Sequence, residues 1–450
     1  MLSLLLNYRL ICHLIPPDQV SIYVVSLGTV GLGSLICGSG LGSVLLRRMS
    51  WARQSDAEPN HKPLLLRVLG LATIAWFVVS ACLVLLLTLY PDFFRRPILP
   101  LVWLLILWIA ARCFLSLVTE AIRGLQIFWL AALSGGQQEG PLVNLIITTL
   151  LIVGADQIVD IRQVLVVHVG ATAAVAVFTL LMMRRTAQFS AKSVAAKATP
   201  TSTDSTPVRL NQDRSLLSES LIVLVSQMSV FGLVEFETLL IGRYCDDSQV
   251  GAWGAIRRLI TVVSAPLLLI NAAIPGFIAE LHSQGEKAKL EKILRAASTL
   301  ATPPAFVAFV GLFFFGDRVL AMFEPGFAIA WSSLALLAAA NIVFVGAGSA
   351  GLTLRMTDNQ GRTIISAVLL AVAYLAIAPW VIDHYKLWGA AVLGSVLIVS
   401  RNVISTIFVR LFIGIWCTPS FRLAEVRQLW QAIRSQRRTK QKQDAGMVQP

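Results

Sequence analysis

Apolar residues in this chain arrive in long unbroken blocks, and that arrangement limits the possible folds more than any other feature. About 20 consecutive apolar residues cross the hydrocarbon core of a bilayer. Twelve such blocks can be read at 2–15, 20–46, 64–90, 98–122, 140–156, 162–183, 216–242, 249–280, 297–315, 327–354, 363–383 and 387–413. A segment in lipid must satisfy its backbone N–H and C=O groups internally, so each block is expected to be a helix. Composition agrees: 56% of the residues are hydrophobic and 14% charged, where soluble chains carry about 25% charged residues. The expectation is an all-α membrane protein of about twelve transmembrane helices. The first block is short and holds Arg9.

The distribution of Lys and Arg gives that reading a topology. With the N-terminus placed in the cytoplasm and the sides alternating, the cytoplasmic segments hold 26 of the 37 basic residues. The opposite side holds six: Arg95, Arg96, Arg162, Arg243, Arg318 and Lys386. A bias of that size survives only if the block count is right. It predicts a multi-pass membrane protein with both termini in the cytoplasm. The same bias accounts for the net charge of +13 without nucleic acid.

The six cysteines are scattered, with no CxxC and no His at metal-ligand spacing, so neither a disulfide framework nor a metal site is expected. Cys245 is the one expected to be exposed. The N-terminal stretch lacks a basic region and a small-residue cleavage site, so it does not read as a cleavable signal. No phosphate-binding loop, GxSxG or HExxH occurs, and the loops are too short to build a soluble active site. Neither an enzyme nor a cofactor is expected.

Residues 185–214, rich in Ser, Thr, Ala and Lys, read as a flexible cytoplasmic linker. They separate a six-helix lobe over 1–184 from a second over 215–413. Gln19-Val20-Ser21-Ile22-Tyr23 and Gln249-Val250-Gly251-Ala252-Trp253 form a weak repeat at an offset of 230 residues. Six spans per half give both halves the same orientation, related by a pseudo-two-fold axis along the membrane normal. Beyond the last span, residues 414–450 are expected to hold a basic amphipathic helix, FRLAEVRQLWQAIR at 421–434, on the cytoplasmic leaflet, then a disordered tail. Residues 284–295, QGEKAKLEKILR, read as another short interfacial helix.

Several loop and helix phrases carry a family resemblance. They are Glu237 to Tyr244 (ETLLIGRY), Val250 to Leu259 (VGAWGAIRRL), Ala273 to Leu281 (AIPGFIAEL), Phe315 to Phe327 (FGDRVLAMFEPGF) and Leu354 to Gln360 (LRMTDNQ). With the opening pair Arg9 to Gly40, they resemble the polysaccharide-biosynthesis transporters. These are the oligosaccharide-lipid flippase branch of the multidrug/oligosaccharidyl-lipid/polysaccharide exporter superfamily. The resemblance implies a two-lobed transporter working by alternating access. It also implies a longer opening helix than this chain carries, so the first helix is expected to be truncated. The implied partners are a lipid-linked glycan, membrane lipids, and a polysaccharide polymerase with glycosyltransferases. The implied settings are lipopolysaccharide and exopolysaccharide assembly at a bacterial cytoplasmic (inner) membrane.

Ionisable residues inside spans are costly unless they face a cavity or a partner. Arg112, Arg257, Arg258 and Arg401, with Asn402, are the candidates for a cationic cavity, because guanidinium groups match phosphate oxygens in bidentate geometry. Successive helical residues point about 100° apart, so Arg257 and Arg258 cannot both face it. Glu219, Glu235, Glu237 and His168 are candidates for coupling or gating; a salt bridge from the glutamates to Arg243 or Arg257, and a hydrogen-bonded interface role for His168, are the structural alternatives. Glu120 and Arg123 are expected to pair along one helix face. Pro266, Pro275, Pro303 and Pro304 are expected to kink their helices. Three functional readings remain open: a flippase for a polyprenyl-diphosphate-linked oligosaccharide, a cation-coupled drug exporter of the same superfamily, and a membrane enzyme of envelope assembly. A peptidoglycan lipid-precursor flippase is a variant of the first.

Overall fold

The computed structural model describes residues 2–54, 61–90, 96–125, 127–135, 140–155, 158, 160–195, 213–357 and 360–420. Among these residues there is no β-strand. Every apolar block is helical. In chain order the helices are α1 (Leu2–Leu14), α2 (Pro17–Gln54), α3 (His61–Leu89), α4 (Val102–Gly124), α5 (Phe128–Ser134), α6 (Pro141–Val153), α7 (Ile161–Ala195), α8 (Asp213–Gln227), α9 (Leu233–Tyr244), α10 (Asp247–Ala273), α11 (Pro275–Ser283), α12 (Lys287–Ala321), α13 (Trp331–Ala347), α14 (Ala350–Met356) and α15 (Gln360–Phe408). Nine stretches among the described residues are long and apolar enough to cross a membrane, and the chain is a multi-pass membrane protein. One of the nine, Thr363–Ile413, holds two of the expected spans, because Lys386 (φ 52°, ψ −136°) breaks α15 into 360–385 and 387–408. The blocks at 2–15 and 140–156 form helices of only 13 residues, about 20 Å long at 1.5 Å per residue.

The structure refines four local expectations. Residues 287–295 are not a separate interfacial helix; they open α12, which runs 35 residues to Ala321. Pro303 and Pro304 lie inside α12 and Pro266 inside α10 without interrupting either, whereas Pro275 starts α11. The proposed linker begins as helix, since α7 continues to Ala195. Cys245 is buried, 5% exposed, and Cys82 on α3 is the exposed cysteine. The amphipathic segment 421–434 lies outside the described residues.

The chain divides into two compact units, 1–251 and 252–450. In the first, α2 is central: 78% of its spanning window is buried, against 17% for the Leu64–Leu89 window of α3. Small residues explain the difference. Gly31 and Gly33 face opposite neighbours so closely that a Cβ would meet Glu235 Cδ of α9 at 2.7 Å and Ile109 Cδ1 of α4 at 2.7 Å. Such small positions let helix backbones approach in lipid, where packing replaces the hydrophobic drive. The two copies of the repeat occupy equivalent helical positions: Val20 and Val250 lie in the first turns of α2 and α10, and Tyr23 and Trp253 are buried one turn on.

In the second unit a core of Ile274, Ile278, Leu290, Leu294, Ala350, Leu354, Val409 and Ile413 joins one end of α11, α12, α14 and α15. After Gly414 (φ +86°) the chain turns back and inserts Ile415 and Cys417 into that core as a strap. The Ser420 amide donates to Thr299 Oγ1 at 3.1 Å, fastening the strap to α12. The tenth expected span is broken at Gly348, whose φ of +65° suits only glycine. A Cβ there would also strike Ser298 Oγ at 2.7 Å and the Cys417 carbonyl.

Candidate functional site

Arg401 lies near the middle of residues 387–413, on the second limb of α15. It is densely surrounded yet keeps part of its surface accessible. Among the described residues no carboxylate pairs with it. The neighbouring charge that acts on it is another cation, Arg355, at the end of α14. Arg355 is exposed, and its Nε donates to the Gly351 carbonyl of its own helix at 3.2 Å.

Local structure fixes this pair. Ser349 Oγ donates to Asn271 Oδ1 at 2.6 Å and holds the start of α14 after the Gly348 break. Ala350 and Leu354 then bury one face of α14 against Val409 and Ile413 of the α15 end. Thr353 of α14 and Cys417 of the strap are both fully buried. Other cations of the same unit are paired: Lys289 with Glu286 at 2.9 Å, Arg295 with Glu291 at 3.4 Å, and Lys386 with Asp383 at 3.4 Å.

The remaining candidates do not gather in one place. Arg112 is half-buried on α4, in the first unit. Arg257 and Arg258 are half-buried on α10, in the second, and Arg258 Nη1 donates to Gly254 O of its own helix at 2.7 Å. Asn402 is buried, and its amide donates to Ile398 O at 2.7 Å, also within its own helix. Glu219 is half-buried on α8, the Glu235 carboxylate rests against Gly31, and Glu237 is 5% exposed on α9. Glu120 and Arg123 form the expected pair at 2.7 Å. His168 is fully buried between Tyr23 and Trp108. Its Nδ1 faces the Val164 carbonyl at 2.8 Å, which can only accept, so Nε2 accepts from the Tyr23 hydroxyl at 3.0 Å. No group of three or more His, Cys, Asp or Glu side chains that could hold a metal occurs among the described residues.

A second arrangement centres on Arg96, which the sequence marks only as a loop cation. Its side chain is 6% exposed. Nε donates to Ser21 Oγ at 2.8 Å and Asp247 Oδ1 at 2.9 Å, Nη1 to the Gly242 carbonyl, and Nη2 to the Cys245 carbonyl at 3.2 Å. These carbonyls close α9, and Asp247 opens α10, so Arg96 neutralises the negative end of one helix while bonding the first turn of the next. The Tyr8 hydroxyl adds a 2.6 Å bond to the Gly251 carbonyl nearby.

Sequence reasoning missed Arg355 and Arg96. Arg355 reads as one more cytoplasmic loop cation, and nothing in the sequence places it beside a residue 46 positions away. Arg96 follows another arginine in a Pro-containing loop; only the fold shows that each of its guanidinium nitrogens is engaged.

The family described as "Polysaccharide biosynthesis protein" matches residues 4–282. Comparison with curated proteins returns no match. Among solved structures, an inward-facing multidrug-resistance MATE transporter of the MOP superfamily superposes with a TM-score of 0.67. It is 14% identical, over 92% of this chain and 94% of that one. The multidrug transporter DinF-BH gives 0.61 at 13% identity, over 91% of each chain. A MOP-superfamily transporter from Pyrococcus furiosus, described as having a binding pocket of reversed polarity, gives 0.59 at 14% identity, over 92% of each. At these identities the likeness establishes the fold.

Proposed function

Because the chain belongs to the polysaccharide biosynthesis protein family, we propose that it is a transporter carrying a polyprenyl-diphosphate-linked oligosaccharide across a bacterial cytoplasmic membrane by alternating access. The observation that supports this most directly is Arg401. A guanidinium at the middle of a span is costly facing acyl chains. Among the described residues Arg401 has no carboxylate to offset that cost, and its charged neighbour is a cation. It therefore faces an aqueous path and awaits an anion. The diphosphate of a lipid-linked sugar is such an anion, and guanidinium binds its oxygens in bidentate geometry. No proton or electron transfer is needed, in keeping with a carrier rather than an enzyme. The Lys and Arg bias supports the orientation with both termini inside, and the glycan precursor is the partner this role requires.

The experiment is a strain lacking the protein, scored for surface polysaccharide and for undecaprenyl-linked glycan in the inner leaflet. Loss of surface glycan with accumulated precursor supports the proposal, and mass analysis of the precursor identifies the glycan. The second reading, a cation-coupled drug exporter, draws on the multidrug transporters among the structural neighbours. Unchanged glycan together with altered dye efflux would favour it, and Glu120, Glu219, Glu235 and Glu237 would then be the residues to substitute.

A further inference from the structure

We propose that the strap at 414–420 is a conformational switch for the tenth span. Docked, it holds that span bent at Gly348; released, it lets α13 and α14 join as one straight helix. The proposal is independent of the transport reading and of any substrate.

The build of the strap comes first. Exposure alternates along it: Ile415 and Cys417 are buried, while Trp416 between them is 41% exposed, as in an extended segment with one face inward. The turn into it is fixed at the end of the last span. The Gly414 amide donates to the Val409 carbonyl at 3.1 Å, and Arg410 Nη1 donates to the Gly414 carbonyl at 2.9 Å. The Arg410 guanidinium lies over the Trp416 ring, 5.2 Å from its centroid. The hold on neighbouring helices runs through Ile415, Cys417 and the Ser420 amide. A short segment held in this way opens locally, without global unfolding.

The bend comes second. α13 stops where the Gly348 amide turns back to the Val345 carbonyl at 3.0 Å, three residues away instead of the four of a continuing helix. Ser298 Oγ gives the same carbonyl a second donor at 3.3 Å. Beside Gly348, the Cys417 carbonyl and Ser298 Oγ fill the space that a Cβ would take. No proline lies between Pro325 and Pro379, so the local sequence, Gly348 included, is free to be helical. The bend is therefore set by its neighbours, and the strap is the neighbour that can leave. While the Cys417 carbonyl is in place, the chain at Gly348 takes a positive φ. Once it withdraws, the Ser349 amide can bond to the Val345 carbonyl and carry the helix on. Coupling of this kind is reciprocal: whatever straightens the span loosens the strap, and whatever frees the strap straightens the span. α14 shares its buried core with α11, α12 and the end of α15. The switch thus sets the shape of the second unit at the side that the Lys and Arg bias assigns to the cytoplasm.

The test uses the full chain in nanodiscs and runs in both directions. Gly348→Ala disfavours the positive φ and sets a methyl group against the Cys417 carbonyl. Maleimide labelling at pH 8, followed by mass spectrometry on the peptide that carries Cys417, should become about tenfold faster or more. Gly346→Ala is the control, because a Cβ there meets nothing within 4 Å; its labelling should stay at the parent rate. The reverse direction leaves Gly348 untouched. Spin labels at Val343→Cys on α13 and Met356→Cys on α14, both exposed positions, report the bend, with Cys82→Ser to remove the exposed native thiol. Releasing the strap with Ile415→Asp and Cys417→Ser should shift the distance between the labels to that of an uninterrupted helix, about 20 Å for 13 residues. If Gly348→Ala fails to fold, the spin-label distance decides alone. A folded Gly348→Ala protein that labels at the parent rate, equal acceleration by Gly346→Ala, or an unchanged distance after strap release would each overturn the proposal and leave the transport reading intact.

Discussion

Arg96 and Arg401 are the same side chain in opposite circumstances. Arg96 engages all three of its guanidinium nitrogens, with Ser21, Asp247 and the carbonyls of Gly242 and Cys245. Arg401 has no carboxylate among the described residues and a second cation beside it. The first sits in a loop, where water could have served it, and the second near the middle of a span, where only an internal aqueous path can. The inversion teaches that position relative to the membrane does not by itself separate structural from functional arginines. What separates them is whether the protein has already used the donors.

The sharpest way to break this comparison is charge reversal at Arg401. Arg401→Glu should cut export of the lipid-linked precursor by about tenfold or more, measured as precursor accumulation, while the amount of folded protein stays constant. Normal export would remove Arg401 from the transport path. The next effect is on stability. Arg96→Ala should destabilise the protein by about 2 kcal/mol, read from denaturant unfolding in detergent. Most of that comes from stranding the Gly242 and Cys245 carbonyls; Asp247 is 47% exposed and rehydrates. An unchanged midpoint would mean the contacts are incidental. Ser21→Ala, which removes one hydroxyl from the same arrangement, should lose about 1 kcal/mol in the same assay. A loss as large as that of Arg96→Ala would show that the hydroxyl, not the guanidinium, holds it together.

The smallest effect concerns the strap. Burial pushes the Cys417 thiol up to about 12, against an ordinary 9.0. The folded state therefore holds its proton more tightly than the unfolded state. The associated stability is complete below pH 9 and drains away as pH rises from 9 towards 12. In the folded protein, maleimide at pH 8 should leave Cys417 unmodified and react once denaturant is added. Rapid labelling under native conditions would mean that the strap is undocked.

Much of the fold was legible because lipid permits so few structures. A run such as Leu64–Leu89 could only be a helix, and all twelve apolar blocks are helical, although 249–280 and 327–354 each divide into two helices. The breaks inside blocks were not legible. Gly348 sits among small residues that look like ordinary packing; its positive φ and the close approach of the Cys417 carbonyl, 69 positions away, are what demand glycine there. Residues 287–295 read as interfacial because Lys and Glu alternate there, yet Leu290 and Leu294 are fully buried and draw that turn into α12. Of the candidate site, the arginines inside spans could be picked out by energy alone. Their partners could not, because pairing depends on which helices adjoin. Glu120 and Arg123 were readable only because they lie three residues apart on one helix. Arg355 and Arg401 lie on different helices, and Arg96 and Asp247 are separated by 151 positions.

The strap also sets a timetable for biogenesis. Ile415 and Cys417 belong to the core of the second unit, yet they follow its last span in the chain. Chains emerge from the ribosome in order, and earlier regions fold first. The second unit must therefore wait, with α11, α12, α14 and the end of α15 in place around an unfilled core, until the strap itself has emerged. A nascent chain stopped just before Gly414 would carry every span yet expose the surfaces of Leu290, Leu294 and Leu354 that the strap covers. Such a product would be inserted but incomplete, and membrane proteases could recognise it by that uncovered patch.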